Sequence, residues 1–152
     1  MNVQPYLCFE GRCEEAINFY KEALGAEVVY KMRFKDSPDP EHCANIPPGA
    51  ENKIMHAELR IGGAVIMMSD GMCKGPAKFD GVSMSLVDLN EAEAERYFAA
   101  LSEGGQVRMP MTETFFAKRF GMVTDKFGVC WMPLGGAKDE EESAGKLAEG
   151  TA

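Results

Sequence analysis

The chain has 152 residues, of which 45% are hydrophobic and 26% charged, a composition typical of one globular domain with a sizeable core. Its formal net charge of −8 argues against nucleic acid as a partner, because phosphate binding needs clustered Lys and Arg. The longest apolar runs are strand-length and too short to span a bilayer, and no basic, apolar leader pattern opens the sequence. We therefore expect a cytoplasmic protein that binds neither membrane nor nucleic acid.

The first half of the chain alternates between strand and helix patterns. Apolar residues recur with helical spacing from Arg12 to Leu24, and Gly25 is a typical helix end. Gly62-Gly63 is typical of a tight hairpin turn. The pattern predicts strands at 3–9 and 26–34, a polar Pro-rich loop at 35–52, and a hairpin of strands 53–61 and 64–69.

The second half repeats this order. The pattern predicts a strand at 81–88, a helix at 90–103 that ends at Gly104-Gly105, and strands at 106–114, 118–124 and 129–134. Residues 135–152 contain five acidic and two basic residues and little large apolar content, so we expect a weakly packed acidic tail.

The recurrence is also visible in the residues themselves. Glu15-Ala16-x-x-Phe19-Tyr20 in the first helix matches Glu93-Ala94-x-x-Tyr97-Phe98 in the second. An internal duplication, in which the first copy carries the Pro-rich loop as an insertion, accounts for the chain to residue 134. We predict one domain over 1–134 with βαβββ modules at 1–70 and 80–134.

Several motifs occur in one order along residues 2–134. They are Pro5-Tyr6-Leu7-x-Phe9-x-Gly11, Ile54-Met55-His56-Ala57, Ile66-Met67-Met68-Ser69-Asp70, Glu113-Thr114-Phe115-Phe116 and Arg119-Phe120-Gly121-Met122-Val123-Thr124-Asp125. Together they resemble the PhnB-like branch of the glyoxalase/bleomycin-resistance/dioxygenase (vicinal oxygen chelate) superfamily. The resemblance implies an α+β fold in which tandem βαβββ modules form a U-shaped mixed β-sheet trough with helices outside. It also implies a homodimer, the commonest closed assembly.

Metal-dependent members of this superfamily hold their metal at four strand positions. The resemblance transfers these positions to Pro5, Met67, Val82 and Met132. None of these side chains supplies the nitrogen or oxygen donor that Zn, Ni, Fe or Mn prefers. We therefore expect no bound metal and no other cofactor.

Strand parity in 53–61 indicates a binding site. Met55, Ala57, Leu59 and Ile61 form an apolar set that suits a covering helix, which leaves the alternate residues on the other face. His56 and Glu58 would then face the trough, where they can bind a polar ligand or act as acid and base. The alternative is a structural hydrogen bond from His56 and an ion pair between Glu58 and Arg60.

The segment 110–120 mixes aromatic, hydroxyl and charged residues between two predicted strands. Such a mixture suits a lip that orients a ligand, and we name Glu113, Thr114, Phe116 and Arg119 as ligand-binding candidates together with His56, Glu58 and Met67. The alternative is an ordinary hairpin whose aromatic residues complete the core and whose charges pair at the surface.

The cysteines give no support for covalent chemistry. The five residues are scattered and form no Cys-x-x-Cys, which disfavours both a disulfide framework and a zinc site. Cys13 and Cys130 would need a neighbouring base to become nucleophiles, so we expect unreactive thiols. No P-loop, Gly-rich nucleotide loop or Ser-His-Asp signature is present.

Three functions remain open at this point. The first is a metal-free protein that binds a small organic molecule in the trough, for sequestration or sensing. The second is a metal-independent isomerase or lyase in which His56 and Glu58 act as acid and base. The third is a metal-dependent lyase or dioxygenase of the same superfamily, which the missing donors disfavour. The sequence does not decide whether the protein is an enzyme.

Overall fold

The structure, a computed structural model, describes residues 1–139 and 141–143. It divides into two compact units, Met1–Lys78 and a second unit that begins at Phe79. Each unit contains one four-stranded mixed sheet and one long helix in the order βαβββ. The predicted α+β fold with a duplicated module is therefore confirmed. No helix among the described residues has the length and apolar character of a membrane span.

The first unit is built on a sheet with strand order β1-β4-β3-β2. The first and last strands of this unit in sequence, β1 and β4, pair in parallel, and the other pairs are antiparallel. The elements are β1 (Tyr6–Cys8), α1 (Cys13–Leu24), β2 (Glu27–Arg33), α2 (Glu41–Ala44), β3 (Ile54–Ile61) and β4 (Ala64–Ser69).

The amphipathic pattern of α1 decides which of its faces is buried. Ala16, Tyr20 and Leu24 are among its buried residues, as the spacing of apolar positions predicts. The helix ends at Gly25, whose φ of 66° is the left-handed conformation that glycine adopts without a Cβ penalty. The core of this unit lies between α1 and the sheet, where Ala57, Leu59 and Met68 are completely buried.

The predicted loop between β2 and β3 contains short helical segments. Residues 34–36 and 50–52 form single 3₁₀ turns, and α2 lies between them. Phe34 and Ala50 are buried, so the segment is folded onto the unit by its few apolar residues. Single turns of this kind carry no periodic signal, and the sequence pattern therefore did not predict them.

The second unit repeats this plan with the strand order β5-β8-β7-β6. Asn90 and Glu93 form a reciprocal capping box at the start of its long helix. Val123 and Trp131 of the sheet are buried. The elements are β5 (Ser83–Leu89), α3 (Glu91–Ser102), β6 (Gln106–Thr112), β7 (Ala117–Thr124) and β8 (Cys130–Ala137).

The last strand is longer than the sequence pattern predicts. Residues 135–137 belong to β8, because Gly135 and Ala137 pair with Arg119 and Ala117 of β7. The first three residues assigned to the acidic tail are therefore part of the sheet. Of the rest of that tail, residue 140 and residues 144–152 lie outside the described residues.

Candidate functional site

The candidate site lies on the face of the first sheet opposite α1, which we call the open face. Ala57 and Leu59 of β3 are completely buried on the α1 side. Side chains alternate along a strand, so His56 and Glu58 point to the open face, where their side chains keep 24% and 35% of their exposure. The parity argument predicted this orientation.

Three side chains from two strands are hydrogen-bonded in series on the open face. The hydroxyl of Tyr6 lies 3.0 Å from Nδ1 of His56, and Nε2 of His56 lies 3.3 Å from Oε1 of Glu58. An ionised carboxylate only accepts hydrogen bonds. In the tautomer that carries its proton on Nε2, the ring donates to Glu58 and its Nδ1 accepts from Tyr6. We call this set the Tyr6–His56–Glu58 chain.

Aromatic rings surround the imidazole of His56. The rings of Tyr6 and Tyr30 lie 5.5 Å and 6.0 Å from it, centroid to centroid. Both tyrosines are more than 40% exposed, so the rings and the hydroxyl groups are available to a ligand. A hydrogen-bonding group beside exposed aromatic faces is typical of small-molecule sites.

Burial raises the pKa of the Tyr6 phenol, and a hydrogen bond with Ser69 opposes this shift. The phenol is therefore neutral at physiological pH, and its proton is available for donation. A neutral phenol can donate a hydrogen bond through its hydroxyl, whereas a tyrosinate can only accept one.

Glu58 and Arg60 do not form the ion pair that the alternative interpretation of β3 predicts. Arg60 Nη1 lies 3.4 Å from the carboxylate of Glu27 on β2, while Glu58 contacts His56. Because Glu27 and Arg60 are directly opposite in the antiparallel register, their charges pair across the strands.

Met67 is also on the open face. It is the register partner of Tyr6 on β1 and of Glu58 on β3, so its half-buried thioether forms the floor between them. The structure thus brings Met67, His56 and Glu58 together, and adds Tyr6.

Glu113, Thr114 and Phe116 lie in the second unit, in the turn between β6 and β7. Lys138 Nζ contacts the Glu113 carboxylate at 3.1 Å and donates to the Thr114 carbonyl at 2.8 Å. The Thr114 hydroxyl accepts from the backbone N–H of Ala117. These contacts hold the turn together, and the structure places these residues in a different unit from His56.

Phe116 is the last residue of this turn, and its ring lies on the face of the second sheet opposite α3. Its ring packs edge-on against Phe120 at 5.0 Å. Phe120 is the register partner of Leu134, and Met132 lies two residues earlier on the same side of β8. Phe116, Phe120, Leu134 and Met132 therefore give this face apolar side chains, whereas the open face of the first sheet carries His56 and Glu58.

Arg119 does not join the other residues of the predicted lip. Its Nε donates to Glu95 of α3 at 2.6 Å, so the guanidinium lies on the helix-covered side of the second sheet. Arg119 and Phe120 are neighbours within β7 (Ala117–Thr124), so strand alternation sends them to opposite faces of the sheet, and only Phe120 contacts Phe116.

The strand registers show which residues lie beside two of the metal-ligand positions that the resemblance implied. Met67 pairs with Tyr6 and Met132 pairs with Ser85, so Tyr6 and Ser85, rather than Pro5 and Val82, stand beside them in the sheets. In the described part of the chain, His, Cys, Asp and Glu side chains form no group of three that could hold a metal ion.

The sequence interpretation missed Tyr6 and Tyr30 as site residues. Tyr6 is 50 residues from His56, and Tyr30 reaches the open face only after an irregularity in the β2–β3 register between Val28 and Tyr30. A bulge reverses the facing of the residues that follow it. The only sequence signal was the position of Tyr6 inside the opening motif.

The two cysteines considered as nucleophiles differ in burial. Cys13 is completely buried, and this burial raises the pKa of its thiol far above the ordinary value. A neutral, enclosed thiol is a poor nucleophile. Cys130 is partly buried on β8.

Known proteins provide a close comparison for the whole chain. It is 42% identical to Protein YjdN of Escherichia coli strain K12 over 137 residues, which cover 87% of this chain and 93% of the relative. The solved structure of protein PA1353 from Pseudomonas aeruginosa is similar with 42% identity and a TM-score of 0.78, over 91% of this chain and 99% of that one.

Two solved structures with lower sequence identity are also similar to this chain. A Bacillus cereus structure described as a putative 3-demethylubiquinone-9 3-methyltransferase, PhnB protein, has 29% identity and a TM-score of 0.71, over 88% of this chain and 98% of that one. The fosfomycin resistance protein FosX from Listeria monocytogenes shares the fold, with 12% identity and a TM-score of 0.64 over 96% of this chain and 97% of that one.

The family model described as 3-demethylubiquinone-9 3-methyltransferase matches residues 1–132. This match covers both modules and agrees with the order of motifs on which the resemblance rested. The chain belongs to this PhnB-like family.

Proposed function

We propose that this protein binds a small organic molecule on the open face of its first sheet, for sequestration or sensing. The observation that carries the proposal is the Tyr6–His56–Glu58 chain, because three polar side chains are aligned there on a partly exposed face. A ligand with a hydrogen-bond acceptor can take the place of His56 Nδ1 as the acceptor of the Tyr6 hydroxyl. The apolar part of the ligand can lie against the ring of Tyr30 and the side chain of Met67. No step of this binding requires a metal.

A metal-independent isomerase or lyase is the second candidate, and the Tyr6–His56–Glu58 chain favours it as well. Glu58 fixes the tautomer of His56, and His56 accepts the hydrogen bond of Tyr6. When a substrate replaces Nδ1 as the acceptor of the Tyr6 hydroxyl, Tyr6 can donate its proton to the substrate, while the freed Nδ1 of His56 takes a proton from the adjacent carbon. One proton leaves the substrate and one enters it, and return of the proton from His56 to the Tyr6 oxygen restores both side chains, so the step balances without a co-reactant.

The family description names a methyltransferase, and that activity does not enter our proposal. The open face provides hydrogen-bonding and acid–base groups, which suit ligand binding and proton transfer. They offer no feature specific to a methyl donor.

The test is a thermal-shift screen of small amines, phosphonates and aromatic acids. It uses wild type and the variants Tyr6→Phe, His56→Gln and Glu58→Gln. These groups are partly exposed, so we expect the unliganded stability of each variant to stay within about 0.5 kcal/mol of wild type, while the ligand-induced shift is lost. Glu27→Gln is the matched control, because it removes an exposed carboxylate of the same sheet that does not belong to the Tyr6–His56–Glu58 chain.

Two results would contradict the proposal. One is a set of variants that melt much earlier than wild type and still respond to the same ligands, which would make the three residues structural. The other is an equal loss of response in Glu27→Gln. Exchange of a ligand C–H proton in D₂O that requires both Tyr6 and His56 would select the enzyme over the binding protein.

A further inference from the structure

A pocket of about 610 Å³ opens beside the segment that follows β4 in the first unit. We call it the linker pocket. Its walls are Cys8 and Glu10 on one side and Met72 with residues 74–78 on the other. The volume is in the range of small-molecule sites, and none of the residues of the Tyr6–His56–Glu58 chain lines it.

The lining of the linker pocket has a net positive charge, whereas the protein as a whole is acidic. Lys74 and Lys78 supply two ammonium groups against the single carboxylate of Glu10, whereas the whole chain carries −8. Neither lysine forms an ion pair with another residue in the ranges 1–139 and 141–143. Lysines without a partner beside a pocket attract an anion.

The carboxylate of Glu10 is already engaged by the backbone. Its Oε2 accepts the N–H of Lys74 at 3.0 Å, so part of its charge is used in closing the segment against β1. Burial and the neighbouring Glu10 raise the pKa of the Cys8 thiol, which is therefore neutral and adds no negative charge to the pocket.

The backbone around the pocket is held in conformations that side chains rarely adopt. Glu10 and Cys73 have φ values of 51° and 52°, in the left-handed region that is unfavourable for a non-glycine residue. Non-glycine residues persist in such conformations where the surrounding structure fixes them, and they are frequent at ligand sites.

We propose that the linker pocket binds a small organic anion, an apolar body with one carboxylate or phosphonate group. Lys74 and Lys78 would receive the anionic oxygens, and Met72, Pro76 and Ala77 would contact the apolar body. This site is additional to the open face and does not depend on the function proposed there.

The test is an amide NMR titration of the full chain with phenylphosphonate, and with benzylamine as the probe of opposite charge. We expect saturable shifts at residues 72–78 with phenylphosphonate at about millimolar affinity, and none with benzylamine. The double variant Lys74→Met/Lys78→Met should weaken binding about tenfold or more, whereas Lys74→Arg/Lys78→Arg should retain it.

The matched control is Lys21→Met/Lys35→Met. Both of these lysines are exposed and stand outside the pocket, so the control changes the net charge equally and should bind phenylphosphonate as wild type does. Binding in the Lys74→Met/Lys78→Met variant equal to wild type would overturn the proposal. Equal binding of benzylamine, absence of saturable shifts, or shifts confined to Tyr6, His56 and Glu58 would overturn it as well, and the last result would still support the open-face site.

Discussion

Two buried aspartates organise the backbone near the ends of strands. Asp70, directly after β4, accepts the backbone N–H groups of Gly11, Cys13 and Ile54 at 2.7–2.9 Å. Asp125, directly after β7, accepts two backbone N–H groups and the indole N–H of Trp131. Both are almost completely buried, so each carboxylate exchanges water for a full set of donors. Their role is to hold the chain in place, and they are not candidates for catalysis.

At the residue scale we predict that Asp70→Asn destabilises the protein by roughly 1.5–3 kcal/mol. One oxygen of the carboxylate accepts from Gly11 and Cys13, and the other accepts from Ile54. An amide nitrogen in either place sets a donor against a donor. Urea denaturation measures the loss. Asp80→Asn, at an exposed position, is the control, and an equal loss in both variants would contradict this role.

Charged residues tie the first helix to the outermost strand of its sheet. Glu14 of α1 contacts Arg33 of β2 and lies 3.7 Å from Lys31 of the same strand. The hydrogen bond from Arg33 is the main reason why the pKa of Glu14 lies below its ordinary value of 4.5. The contact is largely exposed, so its contribution to stability is small.

At the element scale we predict that Glu14→Gln lowers the free energy of unfolding by about 0.2–1 kcal/mol at neutral pH. The folded state lowers the pKa of Glu14, so the stabilisation is present above the ordinary pKa of a glutamate and is lost as the pH falls through the folded-state value. The difference between variant and wild type should therefore vanish in acid.

Urea unfolding of variant and wild type at neutral pH and in acid checks this prediction. Glu22→Gln, at an exposed position of the same helix, is the control and should match wild type throughout. A difference between Glu14→Gln and wild type that persists unchanged in acid would show that the ion pair is not its cause.

At the scale of the whole molecule, both sheets expose apolar side chains on one outer strand. In the first sheet these are Val28, Val29 and Tyr30 of β2, and in the second they are Val107 and Met109 of β6, all between 39% and 45% exposed. Both strands are at the edges of their sheets. Exposed apolar edge strands are surfaces that proteins normally cover.

We predict that a second copy of the chain covers part of this apolar surface, so that the protein is a homodimer in solution. Two-fold assemblies are the commonest way to bury one patch on both subunits. Light scattering at micromolar concentration should report twice the chain mass of 16.6 kDa. A mass equal to one chain would contradict the prediction, and Val29→Lys/Val107→Lys should shift a dimer toward that mass.

The sequence by itself determined the local architecture. The helical spacing of apolar residues in α1 predicts its buried face, and alternation in β3 predicts that His56 and Glu58 point away from the helix. The duplication is visible because both copies keep the same helix pattern. These features depend on residues a few positions apart, where periodicity alone decides which side chains share a face.

Only the tertiary structure decided which distant residues meet. Strand order and register bring Tyr6 to His56 across 50 residues, and Asp70 to the start of α1 across 57. The helix α3 covers the face of β7 that carries Arg119, so this side chain contacts Glu95 instead of joining the predicted lip. A shift of one residue in the pairing register, or a single bulge, reverses the face to which the following side chains point. Local patterns do not specify such shifts, because their cost or gain is set by packing against the neighbouring strands and helix.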